Sequence, residues 1–423
     1  MKERLGFIDG MKAIAAILVF NIHFLNAYYC GVYTLDPAHF HTKMGVEWWI
    51  GATPLNLIYA GKVGARLFLT VSAFLMVWSY ERQQRGKTDF GQKQRLAEKG
   101  LLLTPLKKYV RLVMPIVVVN LLVCMLMELG CYQNDKAASL AGSQEFFGVY
   151  NQFQPKVWEA LSEGTFGCFL FGTNRYNGPL WFIQYEFLGC TLIAGLLFLG
   201  RRKKPVYRMA AFLILSVLFV RTDYLCMLLA AAAAELCVYG SGRYEDAEAV
   251  QNAAGRRRSR VGAADRLWNG LLMVVDKVTA NGLCMWICFL GSLFLLTYPS
   301  LGRTEGTMYE WLPPKVLFYY NVALPGLLFA VWHLKPVQRV LDRKLFRKFN
   351  RFSYSFYLVH FPVLCTVSSA FFVSMYGKCS YHVLTAMTYF LTFLTSLFLA
   401  WILEKCVDRP MQGVTRKMME RLG

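Results

Sequence analysis

The chain has 423 residues, of which 56% are hydrophobic, 15% aromatic and only 17% charged. An average soluble domain carries about 25% charged residues. The composition therefore excludes a disordered chain and an ordinary disulfide-rich secreted domain, and it indicates an integral membrane protein. The formal net charge of +20 would suggest nucleic acid as the partner of a soluble protein. In a membrane protein basic residues are first interpreted as topology signals, and we expect no nucleic-acid partner.

Apolar segments long enough to cross a bilayer recur along the whole chain. A spanning helix needs about 20 mostly apolar residues, and no segment alternates as a lipid-facing barrel strand would. The sequence therefore predicts an all-α polytopic membrane protein with about ten transmembrane helices, of which the fifth and sixth are short. The predicted segments are 11–29, 63–80, 110–128, 179–199, 207–220, 224–240, 278–298, 316–334, 353–373 and 382–403.

Positive charge is distributed unevenly between the connections that join these segments. Lys and Arg are concentrated in every second connection and in the C-terminal tail, whereas the other connections contain few of them. By the positive-inside rule, both termini are expected in the cytoplasm. We assign residues 1–410 to one transmembrane domain, 241–266 to a cytoplasmic linker within it and 411–423 to a basic cytoplasmic tail. The apolar connection 129–178 is expected to pack on the outer mouth of the helices or to re-enter partway.

Ionisable residues inside apolar segments are costly and are therefore candidates for function. In the first segment Lys12 and His23 are eleven residues apart, a spacing that returns to within about 20° of one helix face over a rise of about 16 Å. Lys12 is thus predicted at the cytoplasmic end and His23 near the middle of the bilayer, and Asn26 extends the same stripe. The structural alternative is a snorkelling lysine and a histidine that is hydrogen-bonded within the bundle.

A second histidine is predicted at a similar depth in the ninth segment. This segment enters from the cytoplasmic side, so His360 and His23 can meet in one cavity, and Tyr357 one turn earlier is expected as a hydrogen-bonding neighbour of His360. His39 and His41 lie in the first outer loop. A lone H-x-H pair is weak evidence for a metal site, and we expect both side chains to be solvated.

Other segments add further polar residues. Ser72 lies at mid-depth, where a hydroxyl bonded to its own helix backbone is the simpler explanation, and Arg66 nearer the outer end is expected to snorkel. Lys108 and Arg111 are one turn apart at the cytoplasmic end of the third segment. They are either flanking charges or part of an anion site.

The fourth segment places a carboxylate within the apolar region. It begins near Trp181, which is expected as an interface anchor, and Glu186 lies about two turns in from the outer face. A carboxylate at that depth should face the interior of the bundle. The twelve cysteines show no paired spacing typical of a metal site, so we predict no metal.

Five motifs in this order resemble those of the integral-membrane acyltransferase family 3. They are DGMKAIAAILVFNIH, GARLFLTVSAF, KKYVRLVMP, GPLWFIQYE and FSYSFYLVH. The chain departs from the family pattern at Lys12, where arginine is usual, and at Ala73, where glycine is usual. The first departure keeps the positive charge but loses the bidentate guanidinium.

The resemblance implies transfer of an acyl group, most often acetyl, from cytosolic acyl-coenzyme A to a hydroxyl of an extracytoplasmic glycan or similar acceptor. The implied roles are catalytic for His23, His360 and Glu186, coenzyme-binding for Lys12, Lys108 and Arg111, and supporting for Asp9, Asn26, Ser72, Trp181 and Tyr357. The expected partners are membrane lipid, the acyl donor and the acceptor, with a homo-oligomer left open. The expected location is the plasma or inner membrane.

Two mechanisms and two other functions stay open at this point. His23 can act as a base in direct transfer, or it can carry the acyl group itself. A proton-coupled secondary transporter of a glycan precursor or small metabolite is the alternative function, because buried His and Glu on about ten spans also fit a carrier. A non-catalytic scaffold is the third possibility.

Overall fold

The computed structural model of the protein describes residues 5–84, 97–239 and 262–422. Within these ranges the chain is helical and contains no strand, which confirms the predicted all-α class. The longer helices, labelled in chain order, are α1 (Gly6–Tyr28), α2 (Gly61–Gln84), α3 (Thr104–Glu128), α4 (Trp181–Leu199), α5 (Pro205–Leu218), α6 (Tyr224–Tyr239), α7 (Ala263–Ala280), α8 (Gly282–Leu296), α9 (Val316–His333), α10 (Ser353–Val363), α11 (Tyr381–Leu403) and α12 (Arg409–Leu422).

Shorter helical turns join or extend these helices. The α10 helix continues through two of them, and α11 is joined to α12 by another, so that both elements extend well beyond their labelled ranges. The short turns are Cys30–Thr34, Pro37–His39, Val46–Ala52, Pro54–Tyr59, Asn134–Ala141, Gln144–Gly148, Val157–Ser162, Glu163–Phe171, Gly178–Leu180, Lys335–Leu341, Lys344–Asn350, Leu364–Ser368, Ser369–Met375 and Glu404–Asp408.

Several helices are long and apolar enough to cross a membrane. Seven stretches of the described chain meet that condition, and α7 with α8, which are bent by 87° at Asn281, make an eighth if they count as one span. The α5 and α6 helices are apolar but shorter. Each of the ten predicted segments falls on a helix, so the protein is a multi-pass membrane protein, but the predicted count of about ten is not confirmed.

The α1 helix lies at the centre of the bundle and packs against α2 and α10. Two glycines on α2 make the α1–α2 contact close. A Cβ atom at Gly61 would overlap the side chain of Ile22, and one at Gly64 would press on the carbonyl of Ala15. Small residues at a helix interface let two backbones approach in this way, which fixes the part of α1 between Lys12 and His23 against α2.

Two buried ion-pair clusters connect α2 to its other neighbours. Arg66 is only 8% exposed, and its Nε and Nη2 donate to the two carboxylate oxygens of Asp223 at 2.7 and 3.1 Å. The expected snorkelling of Arg66 is therefore wrong, because a partner on the neighbouring chain segment neutralises the charge inside the bundle. On α5, Arg208 pairs in the same way with Glu235 of α6 at 2.8 Å and with Glu81 of α2 at 2.8 Å.

The long connection 129–178 packs against the helices, and its last residues enter between them. The Ser143 hydroxyl donates to the carbonyl of Ala27 at 2.6 Å, and the side-chain amide of Asn177 donates to the carbonyl of Leu358 at 2.9 Å. Both donors are buried. The connection is thus part of the folded bundle rather than a solvated loop.

The remaining predictions about organisation concern the linker and the tail. Most of the predicted linker 241–266 lies outside the described residues, and α7 begins at its C-terminal end. The predicted tail 411–423 belongs largely to α12, which packs on α3. The cytoplasmic location of both termini stays a prediction.

Candidate active site

A cavity of about 800 Å³ opens at the end of the bundle where α12 and Lys344–Asn350 lie. Its walls are formed by residues of α1, α2, α3, α4 and α10 together with those two elements. The mouth is basic, with exposed side chains on several elements, namely Arg111, Lys344, Lys348, Arg351 and Arg409. Clustered positive charge at the mouth of a low-dielectric cavity attracts anions.

The cations of the cavity differ in whether they already have an anionic partner. Arg351 and Arg409 both contact the carboxylate of Glu404 at 3.0 Å. Lys12 and Arg111 form no hydrogen bond or ion pair with another of the described residues, and both line the cavity. These two side chains, like the exposed Lys344 and Lys348, are therefore available to a bound anion.

Deeper in the cavity, Lys108 and Ser72 converge on one carboxylate oxygen of Glu186. Ser72 Oγ donates to Glu186 Oε1 at 2.8 Å, and Lys108 Nζ donates to the same atom. The expectation that the Ser72 hydroxyl bonds to its own helix is therefore wrong. The second oxygen, Glu186 Oε2, is buried without a hydrogen-bond partner among the described residues, so it is available to a hydroxyl or other donor on a ligand.

Glu186 faces the interior of the bundle, as expected, and is only 8% exposed. The sequence predicts that it lies about two turns in from the outer face, and this depth in the membrane stays a prediction. In the structure the residues just before α4, from Tyr176 to Leu180, are almost completely buried, so α4 begins inside the protein. Glu186 shares one cavity with Lys12 and Lys108.

His23 and His360 form a hydrogen-bonded pair, which confirms that they meet. His23 Nδ1 lies 2.9 Å from His360 Nε2, and the ring centroids are 5.1 Å apart. His360 is 1% exposed, and its Nδ1 lies 3.2 Å from the carbonyl oxygen of Phe356. A carbonyl only accepts, so His360 Nδ1 carries a proton and donates it.

This hydrogen-bond chain assigns the tautomers of both rings. With its proton on Nδ1, a neutral His360 has a lone pair on Nε2, which accepts from Nδ1–H of His23. The proton of His23 is then on Nδ1, and the lone pair of its ring lies on Nε2. His360 thus orients His23 and leaves one of its nitrogens able to take a proton or attack a carbonyl carbon.

The supporting residues fall into different environments. Asp9 accepts from the side-chain amide of Asn350 at 2.7 Å, which places it beside the cavity mouth. Tyr357 lines the cavity, but its hydroxyl donates to the carbonyl of Pro179, so the predicted hydrogen bond to His360 is wrong. The rings of Tyr357 and His360 are nevertheless in contact, with centroids 5.9 Å apart.

Asn26 and Trp181 lie outside the cavity lining. Asn26 is on α1 beyond His23, and its buried Oδ1 has no hydrogen-bond partner among the described residues. Trp181 is half-buried, and the guanidinium of Arg66 lies 5.7 Å from its ring centroid. The expected interface anchor is therefore better described as a packing partner of the Arg66–Asp223 pair.

The outer-loop histidine His41 is also not solvated as expected. Its Nε2 lies 3.1 Å from the carbonyl oxygen of Ala141, and its ring stacks on Tyr381 with centroids 4.1 Å apart. This burial lowers the pKa of His41. In the described ranges no group of three or more His, Cys, Asp or Glu side chains is placed to hold a metal ion.

Sequence reasoning missed the part of the cavity formed by the segment 344–351 and by Glu404. The sequence explains the basic residues of 344–351 as positive-inside charge and assigns no role to Glu404. Their basic side chains lie in a connection far along the chain from Lys12, and nothing in the sequence shows that this connection folds over the end of α1. The density of four basic residues in eight positions, 344–351, is the signal that could have suggested an anion site.

A comparison with protein families gives a match over more than half of the chain. The family model described as an acyltransferase domain, of the acyltransferase 3 type, matches residues 5–235. The chain belongs to the membrane acyltransferase 3 family. The matched residues include Lys12, His23, Lys108 and Glu186, whereas His360 lies beyond them.

Family membership makes acyl transfer the general activity of this protein. The acyltransferase resemblance noted from the sequence is thereby confirmed. A comparison with curated proteins and with solved structures gives no match. In this acyltransferase, His360 lies outside the matched residues but is hydrogen-bonded to His23, which lies within them. The structure therefore adds His360 to the candidate site.

Proposed function

We propose that this acyltransferase transfers an acetyl group from cytosolic acetyl-coenzyme A to a hydroxyl of a glycan or similar acceptor on the other side of the membrane. The observation that carries the proposal is the hydrogen-bonded pair of His23 and His360, which lies directly beyond the deep end of a basic cavity. The cavity fits an elongated anionic donor, and the pair supplies the base or nucleophile that acyl transfer needs.

The distribution of charge supports coenzyme A as the donor. Coenzyme A carries its phosphates at the nucleotide end and its reactive thioester at the end of a long, uncharged arm. The exposed cations of the mouth suit the phosphates, and Lys12 and Arg111 form no ion pair with another of the described residues. The arm then has space along the cavity, so that the thioester approaches the deep end near Tyr357.

In direct transfer, Nε2 of His23 accepts the proton of the acceptor hydroxyl. The acceptor oxygen attacks the thioester carbonyl carbon at the same time. The carbon–sulfur bond then breaks, and the proton passes to the thiolate of coenzyme A. In relay transfer, Nε2 attacks the carbonyl carbon first and coenzyme A leaves as the thiolate, which gives an acylimidazolium on His23. The acceptor oxygen then attacks the acyl carbon, the carbon–nitrogen bond breaks, and the released hydroxyl proton balances the charge of the thiolate. His360 orients His23 in both routes, and Glu186 Oε2 is available to a proton or a ligand hydroxyl.

The depth of His23 supports an acceptor that arrives from the far side. His23 lies eleven residues, or about 16 Å, along α1 from Lys12. It is only about one and a half turns from the other end of α1 at Tyr28. The positive-inside rule places the basic cavity mouth in the cytoplasm, so an acceptor would reach His23 from outside. The plasma or inner membrane of the cell is the location consistent with such an acceptor.

Release of coenzyme A by the purified full-length protein in detergent tests this proposal. We expect the wild type to release coenzyme A from acetyl-coenzyme A, and we expect His23→Ala to abolish the release while it keeps donor binding and thermal stability. His333→Ala is the matched control, because His333 bonds to a backbone carbonyl on α9, away from the cavity. Normal turnover per folded molecule in His23→Ala would overturn the proposal.

The transporter alternative predicts a different result. A carrier would move its substrate across a vesicle membrane without forming a covalent bond to an acyl group. Mass spectrometry of surface glycans from cells with and without the gene distinguishes the two functions. Loss of an acetyl ester supports the transferase, whereas an unchanged ester content with lost uptake supports the carrier.

A further inference from the structure

Three aromatic rings meet at the deep end of the cavity. Phe68 comes from α2, Phe182 from α4 and Tyr357 from α10, and all three line the cavity. The ring centroids are 6.3 Å apart for Phe68 and Phe182, 6.3 Å for Phe68 and Tyr357, and 4.7 Å for Phe182 and Tyr357. Each ring therefore contacts the other two, and we call this cluster the ring triad.

The ring triad contacts the histidine pair through Tyr357. Among the described residues neither His23 nor His360 lines the cavity, but the ring of Tyr357 contacts the ring of His360. Phe182 is 6% exposed and Tyr357 2% exposed. A thioester carbonyl has to come within about 3–3.5 Å of the reacting nitrogen, so its route from this cavity to the pair passes Tyr357, on which Phe68 and Phe182 pack.

The three rings differ in how firmly they are held. Tyr357 is anchored, because its hydroxyl donates to the carbonyl of Pro179 in the turn that precedes α4. The phenyl rings of Phe68 and Phe182 have no polar anchor, and Phe68 is half-buried. The space that an acyl chain can occupy beyond the thioester is thus limited by Phe68 and Phe182 against a fixed Tyr357.

We propose that Phe68 and Phe182 determine the acyl-chain length that this enzyme accepts, and that they select acetyl over longer chains. The inference rests on the proposed acyl-coenzyme A function. Interiors are packed closely enough that each extra methylene must be accommodated by displaced side chains. Discrimination by one methylene in an apolar site is roughly 10–200-fold, so two additional methylenes give a large, measurable difference.

The test compares kcat/KM of the purified full-length protein for acetyl-, propionyl-, butyryl- and octanoyl-coenzyme A. For the wild type we expect kcat/KM to be at least tenfold lower with butyryl than with acetyl. Phe182→Ala and Phe68→Ala should each raise the butyryl-to-acetyl ratio tenfold or more. Phe182→Leu is a milder change that keeps an apolar side chain, and it should raise the ratio in the same direction if the alanine variant does not fold.

Phe187→Ala is the matched control on the same helix. Phe187 packs on Phe169 with centroids 5.5 Å apart and does not line the cavity, so its loss should leave the ratio unchanged. An equal wild-type preference for acetyl and butyryl would overturn the inference, and so would an unchanged ratio in both the Phe68 and the Phe182 variants. If the wild type released no coenzyme A from any donor, the proposed function itself would fail, which is a distinct outcome.

Discussion

Replacement of His360 tests the tautomer assignment of the histidine pair most directly. In His360→Ala, Nδ1–H of His23 loses its acceptor, so the ring is no longer held with its lone pair on Nε2. One hydrogen bond is worth about 0.5–1.5 kcal/mol net, which corresponds to roughly 2- to 13-fold in rate. Loss of the base itself would cost about 10²–10⁴-fold. We therefore expect kcat to fall by roughly 2- to 13-fold, which is less than in His23→Ala.

The expected effect is on kcat rather than on donor KM, because His360 does not line the cavity. Steady-state release of coenzyme A at several acetyl-coenzyme A concentrations separates the two parameters. His360→Gln supplies an amide oxygen that can accept from His23 and should recover part of the lost kcat. A raised donor KM with normal kcat would refute the reasoning. A lower melting temperature with normal turnover of the folded fraction would refute it as well.

Three further predictions follow from the cavity and the buried ion pairs. Lys12→Ala should raise donor KM about tenfold or more, since a charge-assisted bond is worth about 1.5–3 kcal/mol. Lys12→Arg should leave donor KM unchanged. Titration of acetyl-coenzyme A measures donor KM in both variants. Glu186→Gln should lower kcat. It should not raise donor KM, because it removes negative charge from an anion-binding cavity. A raised donor KM in the same kinetics would count against this prediction. Asp223→Asn should lower the free energy of unfolding by about 3–5 kcal/mol, because Arg66 stays buried without its partner. Reversible detergent unfolding measures the loss, and the double variant Arg66→Met with Asp223→Leu should recover most of it.

The depth of a residue along a single helix could be predicted from the sequence. Counting from the basic end of each segment placed His23 and His360 at similar depth, and the structure joins them at 2.9 Å. The same counting identified Lys12, Lys108 and Arg111, all of which line one cavity. This works because the rise per residue of an α-helix is fixed.

The partners of polar side chains could not be predicted in the same way. The spans are apolar on most of their circumference, so the pattern does not show which face of a helix meets which neighbour. The pattern therefore favours a backbone bond for Ser72 instead of its contact with Glu186, and snorkelling for Arg66 instead of its pair with Asp223. The burial of the segment before α4 could not be predicted for a related reason, because that segment has no sequence feature that distinguishes it from a surface loop.

The pairing of Arg208 with Glu235 and Glu81 has a consequence for how the chain is inserted during synthesis. The α5 helix has 14 residues and α6 has 16, or about 21 and 24 Å, and a bilayer core is about 30 Å thick. Each helix would also carry an uncompensated charge into lipid if it entered by itself. We therefore expect α5 and α6 to leave the translocation machinery as one hairpin, after α2 has already brought Glu81 into the bilayer. The order of the helices along the chain permits this sequence of events.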